Sequence, residues 1–229
     1  MKTIGLLGGM SWESTALYYR LINEETRHKL GGLHSARIVL ESLDFQDIEV
    51  LQDRGDWAAA GQLLANAARR IEAAGADFLL ICTNTMHKVA DDVAVAIDIP
   101  LLHIADATAE RIKEAGIDTV GLLGTRFTME QAFYKRRLKE KGITVLTPPE
   151  NSRDLVHTVI YDELCLGVVK DESRQAFLTI IDDLVAGGAQ GVIEGCTEIG
   201  MLVNDGDTDV KLFDTARIHA EAAVAAALE

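Results

Sequence analysis

The segment Leu79-Leu80-Ile81-Cys82-Thr83-Asn84-Thr85 combines the pattern of a buried strand with a cysteine. Its first half is a short run of apolar strand formers, which stops at a thiol followed by small polar residues. A similar change occurs near the other end of the chain, where Gly191-Val192-Ile193-Glu194-Gly195 leads into Cys196-Thr197-Glu198. The sequence thus predicts two buried strands that each deliver a Cys-Thr pair at the carboxyl end.

Strand patterns alternate with helix patterns along the rest of the chain. Besides the run that starts at residue 191, strands are predicted near 2–7, 37–43, 77–81, 101–104, 119–123, 143–146 and 212–213. Helices are predicted over 12–30, 56–74, 83–98, 106–115, 129–141, 152–164, 171–186 and 215–228. This alternation is typical of β-α-β units, in which helices cover parallel sheets. The predicted fold class is α/β.

The order of motifs repeats within the chain. Ile4–Gly8 matches Val120–Gly124, and Cys82-Thr83 matches Cys196-Thr197 in the same order. Proteins of this class share glycine-rich turns, but here the cysteine pair falls in register with the glycine pair, which favours a duplication. We therefore expect two similar, pseudo-symmetric lobes with a cleft between them. Because ligands of open α/β sheets bind outside the carboxyl ends of strands, the two cysteines are predicted to approach one ligand from opposite sides.

The charge balance narrows the class of partner. The 229 residues include 22 Lys and Arg against 36 Asp and Glu, a formal net charge of −14. Such a chain repels nucleic-acid phosphates and anionic membrane surfaces, so we expect a small-molecule partner, with no nucleic acid and no membrane. The three cysteines have no regular spacing, and we find neither a leader segment nor an apolar run of spanning length. We expect a cytoplasmic protein.

Two facing thiols can move a proton at a carbon atom. The reference pKa of a thiol, about 8.5, is closer to neutrality than that of most side chains, and a helix amino terminus stabilises the thiolate. A thiolate that removes a proton from one face and a thiol that delivers one to the other invert a stereocentre without a cofactor. A neighbouring carboxylate needs hydrogen-bond donors, which stabilise the developing enolate. The predicted donors are Thr83, Asn84, Thr85, Thr197 and the turns that contain Met10 and Thr125.

A structural interpretation competes with this chemical one. Free cysteine is among the most buried residue types, so a single cysteine is more often part of the core, and Cys165 is interpreted in this way. For Cys82 and Cys196 the duplicated context favours chemistry. Neither has a second ligand at C-x-x-C spacing, so no metal site is predicted. The turn Gly5–Gly9 is not a dinucleotide fingerprint, so no nucleotide cofactor is predicted either.

The motifs together resemble a known family. Gly8-Gly9-Met10-Ser11, Cys82-Thr83-Asn84-Thr85-Met86-His87 and Gly195-Cys196-Thr197-Glu198 are similar to those of the cofactor-independent aspartate/glutamate racemase superfamily. The whole pattern most resembles the enterobacterial broad-specificity amino-acid racemases. The resemblance implies a single domain of two α/β lobes, 1–99 with 212–229 packing back and 100–211, and an active site in the cleft. It also implies an amino-acid substrate and no pyridoxal phosphate, and homodimers are common among relatives.

The resemblance also assigns residues to roles. It implies Cys82 and Cys196 as the two acid/base groups, and substrate contacts from Met10, Gln52, Thr83, Asn84 and Thr197. We include Glu198, which follows the second Cys-Thr pair, among the predicted substrate-binding residues, with Thr85 and Thr125. No metal ligand is implied.

Departures from the family bear on the substrate. Glutamate racemases carry an acidic residue in the first glycine-rich turn and a histidine shortly after the second Cys-Thr, where this chain has Gly9-Met10-Ser11 and Glu198. Aspartate-specific relatives often place a lysine near residues 163–167, whereas the nearest lysine here is Lys170. These differences favour broad or non-acidic specificity. Glu194, in an otherwise apolar strand, is either a local acid or one partner of a pair.

Two other functions stay open at this point. A relative in the same superfamily could decarboxylate malonates or isomerise small diacids such as maleate, with one cysteine or with different roles for the two. A protein of another class would bind an amino acid in the cleft without turnover. Binding alone gives no reason for two cysteines, so a racemase is the leading hypothesis.

Overall fold

The strand Thr3–Gly8 (β1) is the centre of the amino-terminal sheet. The computed structural model describes residues 1–229. β1 is buried from Ile4 onwards and pairs in parallel with Arg37–Ser42 (β2) on one side and Phe78–Ile81 (β3) on the other. The register sets Leu7 beside Ile81, so β1 and β3 end at the same edge of the sheet. Cys82 is the first residue beyond that edge.

Helices cover this sheet and supply its core. They are Trp12–Leu30 (α1), Phe45–Asp53 (α2), Trp57–Ala73 (α3) and Ala90–Ala94 (α4), with a 3-10 turn over Thr85–Val89. α3 begins where the Asp56 side chain accepts a hydrogen bond from the Ala59 N–H at 3.0 Å, which satisfies one exposed donor of the helix. The apolar face of α3 contributes Leu64 and Ile71 to a buried cluster that also contains Leu79. Burial of this face, more than intrinsic propensity, holds α3 on the sheet.

A second parallel sheet has the order β5-β4-β6-β7. Its strands are Thr119–Gly124 (β4), Thr144–Leu146 (β5), Gly191–Gly195 (β6) and Lys211–Asp214 (β7). Its helices are Ile104–Glu114 (α5), Arg126–Glu130 (α6), Ala132–Glu140 (α7), Glu150–Asp162 (α8), Asp171–Ala186 (α9) and Thr215–Leu228 (α10). In β6 every residue is buried, and Gly124 lies beside Gly195 in the register. Cys196 therefore follows the carboxyl edge of this sheet, as Cys82 follows that of the other.

The chain forms two compact units, one of residues 1–104 with 219–229 and the other of residues 105–218. The sequence predicted divisions at 99 and 211 instead. Residues 212–218 go with the second unit because β7 is hydrogen-bonded to β6. The later part of α10 belongs to the first unit, where the Ala227 carbonyl accepts a hydrogen bond from the Lys2 N–H at 2.8 Å.

Three local predictions were wrong. The strand predicted over 101–104 is only a single bridge between Leu79 and Leu101, because α5 already begins at Ile104. The helix predicted over 129–141 is broken at Gln131, whose extended backbone (φ −79°, ψ 154°) separates α6 from α7. The helix predicted from residue 83 is a 3-10 turn followed by α4, which ends at Ala94.

The fold class itself is confirmed, since the chain contains two parallel sheets flanked by helices. None of the helices combines the length and the hydropathy that crossing a membrane requires.

Candidate active site

Cys82 is fixed at the edge of the first sheet. It directly follows β3, its exposed fraction is 0%, and its N–H donates to the Leu7 carbonyl at 2.9 Å. The Ser14 hydroxyl, in the first turn of α1, donates to the Cys82 carbonyl at 2.8 Å. Burial raises the pKa of the Cys82 thiol far above its ordinary value. The side chain is therefore a neutral thiol at pH 7, held by its backbone on both sides.

The predicted substrate contacts other than Thr125, Thr197 and Glu198 belong to the first unit. Met10, Gln52, Asn84 and Thr85 are buried, and Thr83 is half-buried. The Gln52 side-chain amide donates to the Met86 sulfur at 3.0 Å, and Met86 and Met10 are members of one buried cluster. The polar side chains among these predicted contacts are therefore all uncharged.

A histidine orders the turn that follows Cys82. The Ile104 N–H donates to His87 Nε2 at 3.2 Å, so the ring proton lies on Nδ1, which donates to the Thr83 carbonyl at 2.7 Å. The His103 ring packs edge-on against it, with 4.4 Å between ring centroids. His87 thus fixes the backbone of Thr83, one of the predicted donors.

Cys196 carries a carboxylate partner. Its exposed fraction is 8%, and its thiol donates to Glu198 Oε2 at 2.9 Å. The Thr197 hydroxyl donates to the same oxygen at 2.7 Å, while the Cys165 sulfur lies 4.0 Å from Glu198 Oε1. Burial, and then the charge of Glu198, raises the pKa of the Cys196 thiol well above its ordinary value.

The sequence analysis did not predict two features of the surroundings of Cys196. Glu198 was predicted to contact substrate, and in this structure both oxygens face side chains of the protein, chiefly Cys196 and Thr197. Cys165 was interpreted as a core residue, yet it is half-buried and lies within reach of Glu198. The sequence signal for this contact was the acidic residue two positions after Cys196. The turn is too apolar to leave the carboxylate of that residue unpaired.

Thr125 lies at the end of the strand next to β6. Its hydroxyl oxygen accepts from the Thr128 N–H at 3.3 Å and so caps α6. Since β4 and β6 are neighbours whose ends pair at Gly124 and Gly195, Thr125 and Cys196 emerge from adjacent strands of one sheet.

The predicted stabilisation of thiolates by helix amino termini is wrong. Cys82 is followed by the 3-10 turn Thr85–Val89, and Cys196 by a 3-10 turn of three residues, Ile199–Met201. Such short turns align few peptide dipoles, whereas burial acts on both sulfurs. Burial wins, and the pKa of each thiol is raised. No group of three or more His, Cys, Asp or Glu side chains is arranged to hold a metal ion.

Comparison with known proteins places the chain in a family. A family model of Asp/Glu/hydantoin racemases matches residues 7–223. The chain belongs to the Asp/Glu/hydantoin racemase family. Its predicted resemblance to that family is therefore confirmed, and both Cys-Thr pairs lie within the matched residues.

Three known proteins resemble the chain over at least 96% of its length. A proposed Asp/Glu racemase from Yersinia pestis is 58% identical, with 100% of each chain covered and a TM-score of 0.93. An aspartate racemase homologue from Pyrococcus horikoshii is 35% identical, with 100% of each chain covered and a TM-score of 0.88. The broad-specificity amino-acid racemase RacX of Bacillus subtilis is 22% identical over 96% of both chains.

Proposed function

We propose that this chain is a cofactor-independent amino-acid racemase in which Cys82 and Cys196 are the two acid/base groups. The observation that carries the proposal is the repeated placement of a buried cysteine immediately beyond a strand that pairs with the central strand of its sheet. Membership of the racemase family supports the reaction class. Action in the cytoplasm and assembly as a homodimer stay predictions.

The proposed reaction needs one cysteine as thiolate and the other as thiol. The thiolate removes the α-proton of the amino acid, and the thiol delivers its own proton to the opposite face of the same carbon. After turnover the two protonation states are exchanged, and the enantiomer is converted by the reverse route. Hydrogen-bond donors on the substrate carboxylate, among them the Asn84 side chain and the Thr197 backbone N–H, stabilise the charge that develops next to the α-carbon.

Binding of the substrate lowers the raised pKa of the thiol that acts as the base. Burial disfavours a thiolate at Cys82 and at Cys196, while an opposite charge nearby favours it. The α-ammonium group of an amino acid is such a charge, and it arrives together with the proton that must be removed. We therefore expect the reactive thiolate to form mainly in the complex with substrate.

Broad or non-acidic specificity is the finer part of the proposal. The polar side chains predicted around Cys82 are uncharged, and the carboxylate of Glu198 next to Cys196 repels an acidic side chain. Lys170, the nearest lysine to the position used by aspartate-specific relatives, is paired with Glu163 at 3.0 Å. The name of RacX, a broad-specificity amino-acid racemase, agrees with this expectation.

The test is α-proton exchange in deuterated water, run on both enantiomers of the standard amino acids and homoserine. We expect loss of optical activity and deuterium at Cα for at least one uncharged amino acid. Cys82→Ser and Cys196→Ser should each lower racemisation by at least about a hundredfold, the contribution of general acid–base catalysis. Cys165→Ser, which the two-base scheme does not use, is the matched control.

Absence of exchange from every amino acid would refute the proposal. Malonates and maleate are assayed beside the amino acids, and their turnover in place of racemisation would show the decarboxylase or isomerase alternative to be right. Stabilisation of the fold by an amino acid without any exchange would identify a binding protein.

A further inference from the structure

A pocket opens within the second unit, and none of the predicted site residues lines it. It has a volume of about 500 Å³ and lies beside β7, between the start of α10 and the loop that contains residues 203–205. The residues that line it do not include Cys196, Thr197 or Glu198. No catalytic or substrate-binding role has been given to any residue in its wall.

Glu194 is the unusual member of this wall. It stands near the end of the buried strand β6 with an exposed fraction of 4%, and its Oε1 has no hydrogen-bond partner. Burial, followed by the charges of Asp214 and Asp205, raises the pKa of Glu194 to about 8. A buried carboxyl group with an unpartnered oxygen lowers the stability of a fold, so its place on a pocket wall calls for a ligand.

The pocket contains charges of both signs. Three acidic residues, Glu194, Asp205 and Asp214, share it with three basic residues, Arg111, Lys211 and Arg217. Two of the bases have acidic neighbours: Arg217 Nε is 3.9 Å from Asp214 Oδ2, and Arg111 Nε is 3.3 Å from Glu114 Oε2. A simple anion would meet the repulsion of the carboxylates, and a simple cation would meet that of the bases. A molecule with both charges complements the pocket.

We propose that this pocket binds a small zwitterion that carries an amine and a carboxylate, such as a free amino acid, with its ammonium group on Glu194. Its carboxylate would lie towards the basic side chains Arg111, Lys211 and Arg217. This site is additional to the proposed catalytic site and does not depend on racemisation.

Ligand binding at this pocket is linked to proton release. In the free protein Glu194 keeps its proton at pH 7, because its pKa is about 8. The charged groups around it are Asp205 and Asp214, which favour the protonated form, and the basic residues of the pocket wall, which favour the carboxylate. An ammonium group in contact with the carboxyl lowers that pKa, so binding expels close to one proton into the buffer at pH 7.

The experiment is calorimetric titration of the full chain with β-alanine at pH 7, in two buffers of different ionisation enthalpy. β-Alanine has no stereocentre and no α-ammonium group, so a racemase has nothing to invert. We expect saturable binding with proton release. Ethylammonium and propionate, the two halves of the probe, should each bind at least about tenfold more weakly, because each forgoes one set of charge-assisted hydrogen bonds.

Glu194→Gln is the decisive variant, since glutamine has the shape of the protonated acid. It should weaken β-alanine binding at least about tenfold and abolish proton release. Its thermal unfolding reports whether the fold is kept. Glu172→Gln, at an exposed position in the first turn of α9, is the matched control and should bind as the parent does.

Equal binding to the parent and to Glu194→Gln would overturn the proposal, and would place β-alanine elsewhere, including at the catalytic cysteines. Binding without proton release would also overturn it. If ethylammonium bound as tightly as β-alanine, the pocket would be a cation site and the zwitterion assignment would be wrong.

Discussion

Glu198 sets the electrostatic environment of one of the two proposed catalytic thiols. Its Oε2 accepts from both Cys196 and Thr197, so the thiol is held as a proton donor in the free protein. A thiolate at Cys196 would lie 2.9 Å from that oxygen, at a distance where two negative charges repel strongly. Conversion of Cys196 from acid to base therefore needs a change at Glu198 or a cation beside it.

Glu198→Gln should move the ionisation of Cys196 to lower pH. The amide oxygen of glutamine still accepts the hydrogen bonds, but the negative charge that raises the pKa of the thiol is gone. Because a thiol of raised pKa alkylates only as pH approaches that pKa, the variant should react several-fold faster near pH 8. The measurement is the pH profile of iodoacetamide alkylation, in a background where Cys82→Ser and Cys165→Ser leave Cys196 as the single thiol.

The result is judged by the midpoint of the pH profile and not by the rate alone, because access to the buried sulfur also affects the rate. Glu172→Gln in the same background should leave the midpoint unchanged. An unchanged or raised midpoint in Glu198→Gln would show that Glu198 does not act on Cys196 through its charge.

At the scale of an element, the turn after β1 depends on a glycine. Gly9 has φ +88°, and a Cβ atom there would collide with the backbone of Leu43. The Leu43 N–H donates to the Gly8 carbonyl at 3.0 Å, which holds the end of β2 against this turn. Met10, one of the predicted substrate contacts, is the next residue.

Gly9→Ala should destabilise the fold much more than Gly31→Ala. Both glycines have positive φ, so alanine costs each about 1–2 kcal/mol of backbone strain. Only at Gly9 must the backbone of β2 also shift, since nothing lies within 4 Å of a Cβ built on Gly31. Urea unfolding of the two variants checks the difference. Similar midpoints would mean that the turn adapts to the added methyl group without displacing Leu43.

The sequence predicted the helices and strands in segments where the local pattern favours only one kind of secondary structure. The run Leu79–Ile81 is apolar, and Trp12–Leu30 has clear helical spacing and a serine cap at Ser11, so both elements lie where they were predicted. Leu101, Leu102 and Ile104 are also apolar, but α5 already begins at Ile104, and the predicted strand is reduced to one bridge. Tertiary packing decides such a case.

In the candidate site, too, some features follow from the local sequence and others do not. The positions of Cys82 and Cys196 at strand ends follow from the pattern of the sequence, because a strand that stops at a polar residue places it at the edge of the sheet. The contact between Glu198 and Cys196 depends on side-chain directions in a turn, which no periodicity encodes. The neutral state of the thiols depends on burial, which the motif of each cysteine does not determine.

On the scale of the whole molecule, the two units share a strand order. In the first, β1 lies between β2 and β3, and in the second, β4 lies between β5 and β6. The fourth position is a strand in one unit, β7, and a single bridge at Leu101 in the other. This common order agrees with the repeated motifs and supports the predicted duplication.

Deletion of residues 219–229 should destabilise the first unit selectively. The segment contributes His219, which accepts from the Tyr18 hydroxyl at 2.9 Å and donates to the Leu102 carbonyl at 2.9 Å. Burial lowers the pKa of His219 to about 4, so at pH 7 the ring is neutral and can make both bonds. Loss of these bonds and of the buried Val224 should cost at least about 3 kcal/mol.

Hydrogen exchange measured by mass spectrometry separates the two units in this experiment. Amides of β1 and β3 should lose protection in the shortened chain, while those of β4 and β6 keep it, since all four strands of the second sheet lie within residues 105–218. A chain that lacks only Glu229 is the control and should behave as the parent. Equal loss of protection in both sheets would show that the units unfold together, and that the terminal helix stabilises the molecule as one cooperative body.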